Sequence, residues 1–103
     1  METKIIALPR LNRLSPSLES TALKLMEEAG ELAQAIGKFR GLNGEDTKLE
    51  EKEAMSPITM ELLDVAQTAV SMMFVLEEAY GIDIDQALKE HIKKLISKGY
   101  LDE

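Results

Sequence analysis

The sequence is short of the residues that make disulfides, thiolate sites and aromatic cores. Its 103 residues include no cysteine, no tryptophan, two tyrosines and two phenylalanines. The absence of cysteine excludes disulfides, cysteine nucleophiles and thiolate metal sites. The hydrophobic 45% of the chain is mostly Leu, Ile, Ala and Met. This composition favours helices over strands, which are richer in aromatic and β-branched residues.

Positive charge is also scarce, with 12 Lys and Arg against 19 Asp and Glu and a net charge of −7. This balance argues against a general affinity for nucleic acid or an anionic membrane, since both reward clustered basic residues. The apolar stretch 5–8 is interrupted by Pro9, so neither a signal peptide nor a membrane span is predicted there. We expect a single cytoplasmic domain over residues 1–103 that binds neither nucleic acid nor membrane.

Apolar periodicity and capping residues predict an all-α fold, a bundle of three main helices per chain. The helices are expected over residues 15–40, 56–81 and 83–99, each preceded by a Ser or Asp cap and stopped by glycine. Residues 1–14 form an N-terminal segment. Residues 42–55 form a polar, acidic loop that we expect to be weakly ordered.

The second predicted helix is apolar nearly all round. Ile58, Leu62 and Val65 lie on one side, and Leu63 and Ala66 lie on another. A helix of this kind is buried on more than one face. Two further helices of this size could hardly cover it, so we predict a homodimer or homotetramer in which neighbouring subunits complete the bundle.

A polar strip interrupts that apolar surface. Glu61 and Asp64 are spaced i and i+3 and share the strip with Thr68 and Ser71. Acidic residues on an apolar helix are uncommon and are usually paired or coordinate a metal. The strip therefore predicts acidic groups close to the core.

The first helix carries a second acidic cluster, Glu27-Glu28-x-x-Glu31, in which Glu28 lies beside the apolar stripe. If the two helices run antiparallel, the carboxylates of Glu28, Glu31, Glu61 and Asp64 converge on one pocket. Like charges this close repel, and partly buried carboxylates need a cation or a proton to persist. The simpler alternative for the first cluster is a solvated helix face on which a lysine pairs with Glu28 at i+4 spacing.

A divalent metal resolves this repulsion. An all-oxygen ligand set selects Mg²⁺, Mn²⁺ or Ca²⁺ over Zn²⁺ or Cu²⁺. Mg²⁺ keeps coordination positions open for phosphate oxygens, which points to chemistry on phosphates. Glu27 or Glu31 is the candidate to accept the proton of an attacking water.

The third helix carries the basic candidates. Lys94 and Lys98 are one turn apart and could reach a phosphate, although lysines late in a helix also complement its macrodipole. The single histidine, His91, is more often packed or solvated than catalytic in such a position. Basic residues of the N-terminal segment, Arg10 among them, would reach a substrate only in a neighbouring subunit.

The two acidic clusters together carry a family resemblance. In this order, on two helices and followed by the Gly-Ile-Asp start of a third, they resemble the E-E-x-x-E and E-x-x-D motifs of the MazG-like all-α nucleoside triphosphate pyrophosphohydrolases. The resemblance covers about residues 16–99. It implies an α-helical dimer or tetramer that requires Mg²⁺ and hydrolyses a nucleoside triphosphate between its α and β phosphates. Nucleotide-pool housecleaning is the implied role.

Carried over residue by residue, the resemblance assigns a role to each motif position. Glu27 would be a further acid, and Lys94 and Lys98 would contact phosphate. Some members have a lysine one turn before the second motif, where this chain has Pro57. The base preference stays open, and the alternative is a non-catalytic helical scaffold or a nucleotide-binding regulator. The implied metal ligands are Glu28, Glu31, Glu61 and Asp64.

Overall fold

A computed structural model describes residues 1–42, 44 and 50–103. These residues form three helices, α1 (Leu18–Arg40), α2 (Glu51–Tyr80) and α3 (Ile84–Ser97), and contain no strand. The predicted all-α class is confirmed. Residues 43 and 45–49, on which much of the expected weak order falls, lie outside the described residues.

α1 begins two residues later than predicted. Ser17, not Ser15, is the N-cap: its hydroxyl accepts from the amide of Ser20 at 3.0 Å, and the Ser20 hydroxyl accepts from the amide of Ser17 at 2.8 Å. This reciprocal box satisfies two amides that a helix start leaves without partners. Pro16 therefore stays outside the helix. At the other end Gly41 closes α1 with φ +70°, as predicted.

α2 begins at Glu51, so the prediction that it starts at a Ser-Pro cap near residue 56 was wrong and the polar loop is shorter than 42–55. The amide of Ala54 already donates to the carbonyl of Glu50 at 3.0 Å. Pro57 lies inside the helix, where it cannot donate a backbone hydrogen bond. Ala54 is only 1% exposed, and its burial stabilises the turn before Pro57.

α1 and α2 pack closely and run antiparallel. Thr21, near the start of α1, lines a cavity with Thr68 from the second half of α2. Ala35, near the end of α1, lines another with Ala54 from the start of α2. The orientation on which the predicted convergence of acidic clusters depends is therefore present.

The interface between α1 and α2 is built from small and polar residues. Along α2 buried or half-buried positions recur every seven residues, and along α1 the same spacing holds. The large apolar residues lie elsewhere: Leu62 is 52% exposed and Met26 is 67% exposed. The apolar residues of α1 are thus only partly covered within one chain. The interface positions are Thr21, Glu28 and Ala35 of α1 and Ala54, Glu61, Thr68 and Val75 of α2.

α3 is capped as predicted, with the carboxylate of Asp83 accepting from the amide of Gln86 at 2.9 Å. It ends before Gly99, whose φ is +78°. α3 makes at most marginal contact with α1 and α2, and none of its residues is buried. The radius of gyration is 16.9 Å, against about 13 Å for a compact domain of this length. One chain thus leaves apolar surface uncovered, and the predicted oligomer stays a prediction.

By length and composition, α2 is also apolar enough to cross a membrane. The core helix of a soluble protein passes the same test. Apolar faces on several sides of a helix suit burial between protein helices equally well.

The N-terminal segment lies along α2 of its own chain. The side-chain amide of Gln67 donates to the carbonyl of Pro9 at 2.8 Å. The guanidinium of Arg10 lies 4.3 Å from the ring centroid of Phe74 and forms an ion pair with Glu78. Arg10 is therefore engaged within its own chain, whereas the sequence had suggested that it reaches a substrate in a neighbouring subunit.

Candidate metal centre

Three carboxylates meet at the interface between α1 and α2. One oxygen each of Glu28, Glu31 and Glu61 lies within 4.8 Å of the other two. Glu28 is 6% exposed, Glu61 is half-buried and Glu31 is exposed. The structure thus brings together three of the four predicted metal ligands. We call these three residues the acidic triad.

Helix periodicity explains why the triad forms. Glu28 lies seven residues, or two turns, from the buried Thr21. Glu61 lies seven residues from both Ala54 and Thr68, which are buried. Both carboxylates therefore occupy interface positions that apolar side chains usually fill. Glu31 follows Glu28 by three residues and reaches the same point from the solvent side.

The hydrogen bonding of the triad is incomplete. The ammonium nitrogen of Lys24 lies 3.0 Å from Oε1 of Glu28 and 3.7 Å from Oε1 of Glu27. Oε2 of Glu28 and Oε2 of Glu61 are buried and have no hydrogen-bond partner among the described residues. Leaving buried carboxylate oxygens without a donor or cation is costly. A divalent cation coordinated by oxygen fits this site.

The charges of the triad act on one another. The negative charge of Glu28 raises the pKa of Glu31 above its usual value, with smaller contributions from partial desolvation and from the charge of Glu61. The hydrogen bond to Glu28, assisted by the charge of Glu27, raises the pKa of Lys24. Lys24 supplies one positive charge against the three carboxylates of the triad, so the site keeps a net negative charge.

The remaining predicted site residues lie outside the triad. Asp64 is exposed, and its backbone carbonyl accepts from the hydroxyl of Thr68 at 3.0 Å. Glu27 is exposed and faces Lys24. Lys94 lies in α3 and Lys98 is the C-cap that follows it, and neither residue lines a cavity next to the triad. Their assigned roles stay predictions.

A cavity of about 290 Å³ borders the triad on the side of the α1 C-terminus. Lys38 of α1 lines this cavity together with Glu31, Glu61 and Pro57. Sequence reasoning overlooked Lys38, although it follows Glu31 by seven residues and so shares its face of α1. A basic side chain at this point offers a phosphate partner next to the candidate metal ligands.

On the opposite side of the triad lie two further cavities, of about 340 Å³ and 320 Å³. Both are bounded by the N-terminal segment and by α2. Ser71 lines both cavities, and its buried hydroxyl has no hydrogen-bond partner among the described residues. The polar strip in the sequence included Ser71, but only the packed structure shows that it lines the two cavities.

Two antiparallel helices that each contribute carboxylates to one group define an all-α class of protein with a candidate divalent-metal centre. The chain belongs to the MazG nucleotide pyrophosphohydrolase domain family, which matches residues 16–99. The recognised resemblance is thereby confirmed, and all the acidic motif residues lie within the match.

A relative from Bacillus subtilis (strain 168), named "Uncharacterized protein YvdC", is 30% identical over 74 residues. The aligned part covers 72% of this chain and 68% of that protein. No solved structure matches the chain.

Proposed function

We propose that the protein is a Mg²⁺-dependent nucleoside triphosphate pyrophosphohydrolase. Water adds to the α phosphorus, the bond from that phosphorus to the bridging oxygen breaks, and a nucleoside monophosphate and pyrophosphate are released. Membership of the MazG family supports the class of activity. The observation that carries the proposal is the acidic triad, in which two buried carboxylate oxygens have no partner among the described residues.

Glu28, Glu31 and Glu61 would hold the metal, with Asp64 as the fourth ligand, one turn from Glu61. When bound, Mg²⁺ neutralises phosphate charge and acidifies a coordinated water. Mn²⁺ has the same preference for oxygen ligands and is the alternative ion.

Glu31 is the acid best suited to accept the proton of the attacking water. It is the exposed member of the triad, so water reaches it. Glu27 is the second candidate, since it is also exposed and Lys24 holds it near Glu28.

Lys38 would bind the leaving pyrophosphate. It lines the cavity beside Glu31 and Glu61, which Pro57 also lines. Pro57 stands where some family members have a lysine, so Lys38 would replace that charge from the neighbouring helix. A lysine near the departing phosphates offsets their developing charge.

The working protein would be a homodimer or homotetramer. Within one chain α3 barely contacts α1 and α2, and large apolar residues of α2 are exposed. Packing of neighbouring subunits would cover them. It would also allow Lys94 and Lys98 to reach phosphate. We place the protein in the cytoplasm, with nucleotide-pool housecleaning as its role.

The decisive experiment is a panel of ribo- and deoxyribonucleoside triphosphates incubated with and without Mg²⁺. Monophosphate and pyrophosphate are expected in equal amounts from at least one nucleotide, only with Mg²⁺ or Mn²⁺. Glu28→Gln should abolish this activity, whereas Glu77→Gln, an exposed acid of α2 far from the triad in sequence, should not. Orthophosphate in place of pyrophosphate would contradict the proposed cleavage position.

A non-catalytic scaffold or regulator is the alternative. It is favoured if no nucleotide in the panel is hydrolysed with either metal and if Mg²⁺ plus a nonhydrolysable triphosphate leaves the melting temperature unchanged. A thermal shift without turnover would indicate nucleotide binding alone.

A further inference from the structure

The two cavities beside the N-terminal segment form one recess. They share Ser15, Pro16 and Ser71 as well as two leucines of the segment. Each is about 320–340 Å³, within the size range of small-ligand pockets. The recess is enclosed by the N-terminal segment, the start of α1 and the second half of α2. Its apolar walls include Leu11, Leu14, Phe74 and Val75.

The recess adjoins the acidic triad. Lys24 lines it, and the ammonium nitrogen of Lys24 lies 3.0 Å from Oε1 of Glu28. Thr68 lines it from α2, one turn after Asp64. Because α1 and α2 are antiparallel, these two residues are displaced from the acidic motifs in the same direction. The displacement is about 6 Å, four residues at the helical rise, a separation that a sugar can bridge between a phosphate and a base.

The recess contains a polar group that lacks a partner. Ser71 is 8% exposed, and its hydroxyl oxygen is buried without a hydrogen-bond partner among the described residues. Since buried hydroxyls are normally paired, this one is suited to a ligand. A hydroxyl both donates and accepts, so it can pair with the N–H or the carbonyl edge of a base. The apolar walls suit the flat faces of the ring.

The outer wall of the recess is formed by the N-terminal segment. Arg10 lies on Phe74 and pairs with Glu78, while Gln67 holds the carbonyl of Pro9. These contacts fix the segment at the mouth of the recess. Residues 9–14 precede the part of the chain that matches the family, residues 16–99.

We infer that the recess binds the base and sugar of the nucleotide, with Ser71 as the polar contact, and that the N-terminal segment held by Arg10 sets base preference. This inference rests on the proposed function for the position of the phosphates. The ligand expected in the recess is a flat ring with polar edges that is attached to a phosphorylated sugar.

Ser71→Ala and Arg10→Ala test it, with Ser97→Ala in α3 as the matched control. Ser71→Ala should raise KM for the preferred nucleotide about 3- to 10-fold, the effect of one hydrogen bond, with kcat and Mg²⁺ affinity unchanged. Arg10→Ala should change the ratio of kcat/KM between nucleotides. Unchanged KM and base preference in both variants would overturn the inference, as would a parallel loss of Mg²⁺ binding.

Direct binding separates this inference from the proposed function. Titration calorimetry with nucleoside monophosphates needs no turnover, and Ser71→Ala should weaken the best of them by the same factor. If the protein hydrolyses nothing but Ser71→Ala still weakens monophosphate binding, the recess assignment holds and the enzymatic proposal fails. If hydrolysis is present and the variant binds monophosphates as tightly as the parent, only the recess assignment fails.

An increase in KM for Ser71→Ala would not be caused by a loss of folding. Removing an unpaired buried hydroxyl should leave the melting temperature of the nucleotide-free protein equal or higher. A lower melting temperature for Ser71→Ala would show that the hydroxyl has a partner within the protein, which contradicts its assignment to a ligand.

Discussion

Lys24 binds one oxygen of Glu28, at 3.0 Å, and leaves the other oxygen of the same carboxylate buried without a donor among the described residues. The i to i+4 pair expected of an ordinary helix surface is therefore present, yet it satisfies only half of a carboxylate that is 6% exposed. One oxygen of Glu28 lies within 4.8 Å of an oxygen of Glu61 and of an oxygen of the exposed Glu31, and Oε2 of Glu61 is likewise buried without a donor among the described residues.

Replacement of a triad member should remove the response to metal. We expect Glu28→Gln to eliminate the rise in melting temperature produced by Mg²⁺. It should also lower activity by at least about 100-fold, because loss of a residue that only orients a metal ligand already costs up to about 100-fold. Without metal the variant should be no less stable than the parent, since a neutral amide relieves repulsion with Glu61. Thermal melts with and without Mg²⁺ check this, with Glu77→Gln as control. A full Mg²⁺ shift in Glu28→Gln would contradict the site.

The contribution of Glu31 to the stability of the metal-free protein should fall as pH rises. The pKa of Glu31 is raised in the fold, so the folded state holds its proton to higher pH than the unfolded state does. Its favourable contribution is therefore complete below the usual value of 4.5 and is lost as pH rises through the folded pKa. Urea unfolding in chelator from pH 4 to 7 should show this slope, and Glu31→Gln should reduce it. If Glu31→Gln shows the same slope of stability against pH as the parent, the raised pKa of Glu31 is not the cause.

Lys24→Met should lower stability in chelator and raise affinity for Mg²⁺. The variant leaves Glu28 buried without its ammonium partner, and it removes a positive charge that competes with the metal. The loss of stability should be largely recovered at saturating Mg²⁺. Lys93→Met, an exposed lysine of α3, should change neither quantity. Weaker Mg²⁺ binding in Lys24→Met would mean that the lysine positions Glu28 for the metal.

Lys38→Ala should weaken binding of the triphosphate and leave the metal site intact. Because Lys38 borders the cavity next to Glu31 and Glu61, its removal should raise KM for the triphosphate about tenfold. Monophosphate affinity and the Mg²⁺ thermal shift should be unchanged, because neither involves the leaving pyrophosphate. Lys52→Ala, in the first turn of α2, is the control. An equal effect on monophosphate binding would place Lys38 elsewhere.

The exposed apolar surface of α2 should mediate self-association. Sedimentation is expected to show a dimer or tetramer, and Leu62→Glu should dissociate it, since Leu62 is 52% exposed in the isolated chain and would be buried between subunits. Leu42→Glu, an exposed apolar residue at the end of α1, should leave the assembly intact. A monomeric parent protein would contradict the assembly but not the metal site.

Local signals in the sequence determined much of the fold. The stops at Gly41 and Gly81 and the cap at Asp83 were predicted because each depends on a few neighbouring residues. The two acidic motifs and the family were recognised because spacing along a helix translates directly into a shared face. Glu28 and Glu31 share a face of α1 for the same reason, whereas their meeting with Glu61 depends on the packing of α2 against α1.

Tertiary packing decided the rest. Because Ala54 is buried, α2 begins at Glu51, although Pro57 favours a helix that starts near residue 56. Packing on small and polar interface positions turns Glu28 inward and leaves Asp64 exposed. The attachment of Arg10 to α2 depends on contacts between residues distant in sequence. Periodicity shows which residues share a face, but only the packing of one element against another determines which face is buried.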